Sequence, residues 1–314
     1  MPQRKIIAVI GATGAQGGGL ARAILDDKDG PFALRAITRN PGSDNARALA
    51  AAGAEVVAAD ADDPPSLDRA FAGAYGAFCV TNFWEHFSPA RELKQAEAMA
   101  HAARKAGVAH VVWSTLEDTR RRVPLSDARL PTLQGTYKVP HFDAKGEADA
   151  FFAGLPTTYL LAAFYWDNFI FFGMGPRKGE GDALNVVLPL GGGRLPGIAA
   201  VDIGRCCHGV FGRGSDMIGR RVGLAGDILT GEQMAAAFTR ALGRQVNFVD
   251  LPFDTYRGLG FPGADDLGNM FHYQALFNEE FCKSRDVSLS RELNPRLQSF
   301  AAWLAANKDR IPIQ

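Results

Sequence analysis

The sequence has little of what many specialised functions demand. Its four cysteines, Cys79, Cys206, Cys207 and Cys282, follow no metal-type spacing, and its six histidines are scattered. Cys206, Cys207 and His208 are adjacent, and neighbours on a helix point in different directions and cannot chelate one ion. Such thiols suit buried, reduced side chains in a cytoplasmic protein, and no metal site is expected. An excess of charge is missing as well. The 34 basic residues balance 34 acidic ones, so nothing global attracts nucleic acid or an anionic membrane. The one basic run, Arg120–Arg122, reads as solvated loop surface. Long apolar runs are absent: Phe164–Met174 is aromatic but too short to span a bilayer, and it contains Asp167 and Asn168. The apolar start runs straight into a glycine turn, so it reads as a strand and not as a secretory segment. The patterns GxSxG, GxxxxGK and HExxH do not occur, which sets aside three further chemistries. Repeats, low-complexity tracts and an obvious linker are missing too.

What is present begins at Ile6–Gly17, IIAVIGATGAQG. A short uncharged hydrophobic run predicts a strand buried on both faces of a parallel sheet. Gly11, Gly14 and Gly17 then permit a tight turn that brings backbone N–H groups close to a phosphate. The following helix former, GGLARAILDD, aims its positive end at the same point. Strand, turn and helix together predict a seat for a dinucleotide pyrophosphate.

Further along, strands are expected at 33–38, 55–59, 75–80, 108–114 and 157–161, with helices at 46–52, from Pro64, at 89–106 and at 141–152. This alternation predicts a Rossmann-type doubly wound parallel α/β sheet. It fills residues 1–162, and residues 163–314 form a smaller α+β lobe from which some elements return to the sheet. In that lobe 186–190 and 221–224 read as strands, Gly191–Gly193 as a turn, and 232–242 and 297–307 as amphipathic helices. Arg39 ends the second strand, where a guanidinium suits a ribose 2′-phosphate; the bland alternative is a surface arginine before Asn40-Pro41-Gly42. Asp60, at the end of the third strand, is placed to face an adenine amine, with Asp62 and Asp63 capping the next helix. Core packing is the default for all four tryptophans, and Trp84 and Trp166 are the best candidates to wall a cleft.

The stretches GATGAQG, TRNP, VTNFWE followed by ELKQAEAMA, WSTLED and HFDAKGE resemble the NmrA-like family of atypical short-chain dehydrogenases. LGFPGADDLGNMFHYQAL, LSRELNP and the tryptophan-bearing final helix look like its HSCARG-type branch. The resemblance covers nearly the whole chain. It implies a Rossmann domain holding NADP(H), and a protein that senses cofactor redox state by changing partners or oligomeric form, with true reductases among its relatives. By position it implies that Gly11, Thr13, Gly14, Ala15, Gln16 and Gly17 hold the pyrophosphate and Arg39 the 2′-phosphate. Asp60 and Ala61 would flank the adenine, and Thr81, Asn82, Lys94, Lys145 and Tyr165 would line the nicotinamide end. The family's further basic residues after TRNP are replaced here by Gly42, Ser43 and Asp44, which puts the strength of NADP-over-NAD preference in question.

Catalysis has a separate requirement. Short-chain dehydrogenases place a tyrosine four residues before a lysine, whose charge lowers the phenol's pKa for proton transfer. Before Lys145 that position holds His141. An imidazole can carry protons near neutral pH, or it can simply begin a helix. Ser114 could orient a carbonyl, and Tyr137 or Tyr165 could stand in for the missing phenol. Two functions follow. One is a regulatory NADP(H)-binding protein, in which occupancy orders a mobile 115–140 loop and changes a partner surface, with a homodimer as a candidate assembly. The other is an NADPH-dependent reductase of a quinone, enone or carbonyl. Direct DNA contact is disfavoured by the neutral charge and the absence of a helix-turn-helix pattern.

Overall fold

The computed structural model describes residues 3–179 and 181–313. In chain order the first half contains β1 (Lys5–Ile10), α1 (Ala15–Asp26), β2 (Phe32–Thr38), α2 (Asp44–Ala51), β3 (Glu55–Ala58), α3 (Pro64–Phe71), β4 (Gly76–Cys79), α4 (Pro89–Lys105), β5 (His110–Thr115), α5 (Pro140–Phe152) and β6 (Thr157–Leu161). The second half contains β7 (Phe164–Tyr165), α6 (Asn168–Phe171), β8 (Arg177–Lys178), β9 (Leu184–Leu188), β10 (Arg194–Ile198), α7 (Ala200–Arg213) and β11 (Arg221–Gly223). It continues through β12 (Asp227–Thr230), α8 (Gly231–Leu242), β13 (Val246–Asp250), α9 (Phe253–Arg257), α10 (Ala264–Leu276), α11 (Asn278–Lys283), α12 (Val287–Leu293) and α13 (Phe300–Asn307).

Seven strands form one sheet in the order β11-β6-β5-β4-β1-β2-β3, and every pairing in it is parallel. This is the expected Rossmann-type topology. The hydrophobic pattern of β1 explains why it lies in the middle. Ile7 and Val9 join the core beneath α1 and α7, while Ala8 joins the core beneath α3, α4 and α5. Two small mixed sheets, β12-β10-β7 and β13-β9-β8, build the second lobe around a third core rich in phenylalanine. Among the described residues no helix is long and apolar enough to cross a membrane.

The second half does return to the sheet. Strand β11 adds its outer edge beside β6, and α7 lies against α1 with almost nothing between them. A methyl on Gly204 would sit 2.0 Å from the Leu20 nitrogen, and one on Gly19 would sit 2.6 Å from the Val201 carbonyl oxygen. Several expectations are corrected. The strand expected at 186–190 is Leu184–Leu188, because Leu184, Val186 and Leu188 alternate into the core. The last helix starts at Phe300 rather than Leu297, since Ser299 caps it by accepting from the Ala302 N–H. Asp63 occupies the N-cap of α3 without a side-chain cap bond, and Asp62 is engaged by Arg91 and Gln95 instead. Trp166 takes a core position, buried against Phe300 and Trp303.

The 115–140 stretch is irregular yet firmly tied. The Asp143 carboxylate accepts from the Thr119 N–H and hydroxyl and from the Lys138 and Val139 N–H groups, at 2.6–3.0 Å. The buried Lys138 ammonium donates to the carbonyls of Asp127 and Leu130. The 115–140 stretch is thus tied to α5 near both of its ends. Two arginines of the Arg120–Arg122 run are paired, Arg120 with Asp118 and Glu147, and Arg122 with Glu280.

Candidate functional site

The glycine turn has the geometry an anion seat requires. Gly11 has φ +64°, a left-handed conformation that disfavours any side chain. At Gly17 a Cβ would lie 2.4 Å from the Gly11 carbonyl oxygen, so α1 can approach the turn this closely only without one. Gly14 is the N-cap of α1, which has no side-chain cap bond and no acidic residue in its first turn. Its first N–H groups are thus left for a ligand, and its positive end is uncompensated. Thr13 and Ala15 stand beside it. A cleft of about 560 Å³ opens there, bounded by Thr13, Gly14 and Ala15 on one side and by Tyr165 and the exposed Phe171 and Phe172 on the other.

Gln16 points from α1 over the sheet. Its amide donates to the Tyr165 hydroxyl at 2.5 Å and accepts from the Ser114 hydroxyl at 2.8 Å. Ser114, Gln16 and Tyr165 thus form one chain across the ends of β5, α1 and β7. Burial pushes the Tyr165 phenol up to about 12, so it holds its proton firmly at neutral pH.

At the β2 edge Arg39 is exposed and forms an ion pair with Glu85. One Asp60 carboxylate oxygen accepts from the Asp62 N–H at 3.0 Å, and Asp60 and Ala61 are both half-buried.

The other end is built by α4 and α5, which pack side by side. Lys145 donates to the Thr81 hydroxyl at 2.6 Å and pairs with Glu92 at 2.8 Å; Thr81 also donates to Glu92 at 2.5 Å. Glu92 has no exposed surface. It lies in the first turn of α4, where the helix end favours a negative charge. Its second oxygen has no hydrogen-bond partner and faces His86 Nε2 at 3.5 Å. Asn82 and Lys94 are exposed. Lys94 is two residues from Glu92 and so projects from the opposite side of α4, away from Lys145. His141 is buried, and its Nδ1 meets an Asp266 oxygen at 2.7 Å while its backbone N–H donates to the other at 3.1 Å. The Trp84 ring leans on it at 4.6 Å. Tyr137 lies instead beneath the Arg120 guanidinium.

Glu85, Glu92 and Asp266 were not singled out by sequence reasoning, though a signal existed for one of them. Glu92, Ala96, Met99 and Ala103 share the buried stripe of α4, so an acid there interrupts an apolar face. Among the described residues no cluster could hold a metal ion.

The profile of the NmrA-like family matches residues 3–304. An NmrA-like family domain-containing oxidoreductase of Aspergillus hancockii, hkm9, is 30% identical over 281 residues, covering 85% of this chain and 82% of that protein. The fold is similar to NmrA, a negative transcriptional regulator, at 23% identity over 96% of this chain and 95% of that one. NmrA has been solved with NAD (TM-score 0.79) and with NADP (TM-score 0.76). It is also similar to the NADPH-dependent quinone oxidoreductase QOR2 of Escherichia coli, solved with NADPH, at 21% identity, TM-score 0.70, over 97% and 99% of the chains.

Proposed function

Because the chain belongs to the NmrA-like family, we propose that it binds NADP(H) and acts as a cofactor-state sensor of the HSCARG type, communicating with a protein partner, rather than as a reductase. The glycine turn and the uncapped start of α1 would hold the pyrophosphate, and Arg39 the 2′-phosphate. When bound, the cofactor would supply hydride chemistry. One observation carries the sensor reading: the position four residues before Lys145 holds His141, paired with the buried Asp266, where a short-chain dehydrogenase has its tyrosine, and Lys145 itself pairs with Glu92. Loss of a positioned acid costs on the order of 10²–10⁴ in rate. Sensing requires that two forms of the protein bind the cofactor with different affinity. Calorimetric titration with NADPH and NADP⁺, with analytical ultracentrifugation of each complex, tests the reading. Unequal affinities with a change of assembly or partner capture are expected; equal affinities and an unchanged assembly would remove it.

A second reading, an NADPH-dependent reductase, is favoured by the oxidoreductase naming of the relative at 30% identity. The 560 Å³ cleft beside Tyr165 offers room for an acceptor. A quinone needs less help from a protein acid than a simple carbonyl does. NADPH oxidation followed across a panel of quinones, enones and aldehydes decides between the two.

A further inference from the structure

We propose that Glu85 is a cofactor-specificity residue: it competes with the 2′-phosphate of NADP(H) for Arg39 and so restrains the preference over NAD(H) that Arg39 alone would confer. The proposal rests on the cofactor reading above.

Sheet order places the two residues. Strands β2 and β4 flank β1. Arg39 follows β2 directly, and Glu85 ends the Phe83–Glu85 turn that follows β4. The two side chains therefore meet across the tip of β1, where the glycine turn begins. Both are solvent-accessible, at 59% and 38% of their side-chain surface, so a ligand can reach and separate them. The pair lies where an adenosine ribose rests in a sheet of this order.

The surroundings make the competition matter. The neighbouring cations are already committed, Arg91 to Asp62 and Arg47 to Asp44 and the Gly42 carbonyl. Asp60 and Asp62 also act on the Arg39 charge. An arriving 2′-phosphate thus meets a guanidinium whose partner it must displace, and it then stands near the carboxylate it displaced. A free ribose 2′-hydroxyl carries no charge and can leave the Arg39–Glu85 pair intact. Charges this exposed are screened, so the expected effect is a matter of factors of ten or less.

Calorimetric titration of the full chain with NADP⁺ and with NAD⁺ tests the proposal. Glu85→Gln should tighten NADP⁺ about five- to tenfold while moving NAD⁺ less than twofold. Glu85→Lys should tighten NADP⁺ further, and Arg39→Gln combined with Glu85→Gln should abolish the gain. An unchanged NADP⁺ affinity in Glu85→Gln, or equal tightening of both nucleotides, would overturn the role of Glu85. If the unsubstituted protein takes up neither nucleotide, the cofactor reading itself fails; if it binds them and Glu85→Gln is indifferent, only the specificity proposal fails.

Discussion

At the β2 edge, Arg39 and Glu85 meet in solvent; between α4 and α5, Lys145 and Glu92 meet where the carboxylate has no contact with water. The chemistry of the pairs is alike, but the consequences of breaking them are not. An exposed pair is screened and is worth at most about 1 kcal/mol, so a ligand can exchange one partner cheaply. A buried pair forms at a desolvation cost that only its full set of partners offsets, so loss of one partner strands a charge. The first pair is suited to selecting a ligand, and the second to holding a fixed geometry.

The sharpest way to break this contrast is at Lys145. Lys145→Ala should destabilise the protein by about 3–5 kcal/mol in urea unfolding, and joint replacement of Lys145 and Glu92 by apolar residues should recover much of the loss. If the single substitution costs under 1 kcal/mol, the buried pair behaves like the exposed one.

A buried group with no ionic partner extends the comparison to pH. His110 lies out of contact with solvent, shares Nε2 with the Thr158 hydroxyl and leaves Nδ1 unpartnered. Burial depresses its pKa from 6.5 to about 4. The unfolded chain takes up this proton near pH 6.5 and the folded one only near 4. The stabilisation is therefore complete above about pH 6.5 and is lost as pH falls through that window, by up to about 3 kcal/mol. Thermal unfolding of the protein and of His110→Gln between pH 7 and 4 should show the slope and its flattening.

Between the two ends lies the glycine turn. Gly17→Ala must push the Gly11 carbonyl aside, costing about 1–3 kcal/mol in unfolding and abolishing nucleotide uptake in a calorimetric titration. The smallest effect on stability is expected at Arg39. Arg39→Gln should change unfolding free energy by less than about 1 kcal/mol while weakening NADP⁺ binding, which separates recognition from folding at that edge.

Most of the sheet was legible in the sequence because β1 to β5 are short, largely apolar runs closed by turn signals and followed by helix patterns. The second lobe was less so. Strands β7, β10 and β12 are two to five residues long and pair across large sequence distances, and short runs of this kind carry no period of their own. Gly11, Gly17 and Lys145 could be read because turn chemistry and helix spacing are local. The partners of Arg39, Lys145 and His141 could not, since Glu85, Glu92 and Asp266 reach them from other elements. HFDAKGE and FPGADD stand far apart in the chain, and only folding shows that the aspartate of one engages the histidine of the other.

The bare backbone contact of Gly19 and Gly204 has a practical consequence for dissecting the protein. An expression fragment ending near residue 162 would strip α7 from α1 and leave Leu20, Ile24 and the underlying strands facing solvent. Such a surface invites self-association, so nucleotide uptake should be sought in the intact chain and not in an isolated amino-terminal piece.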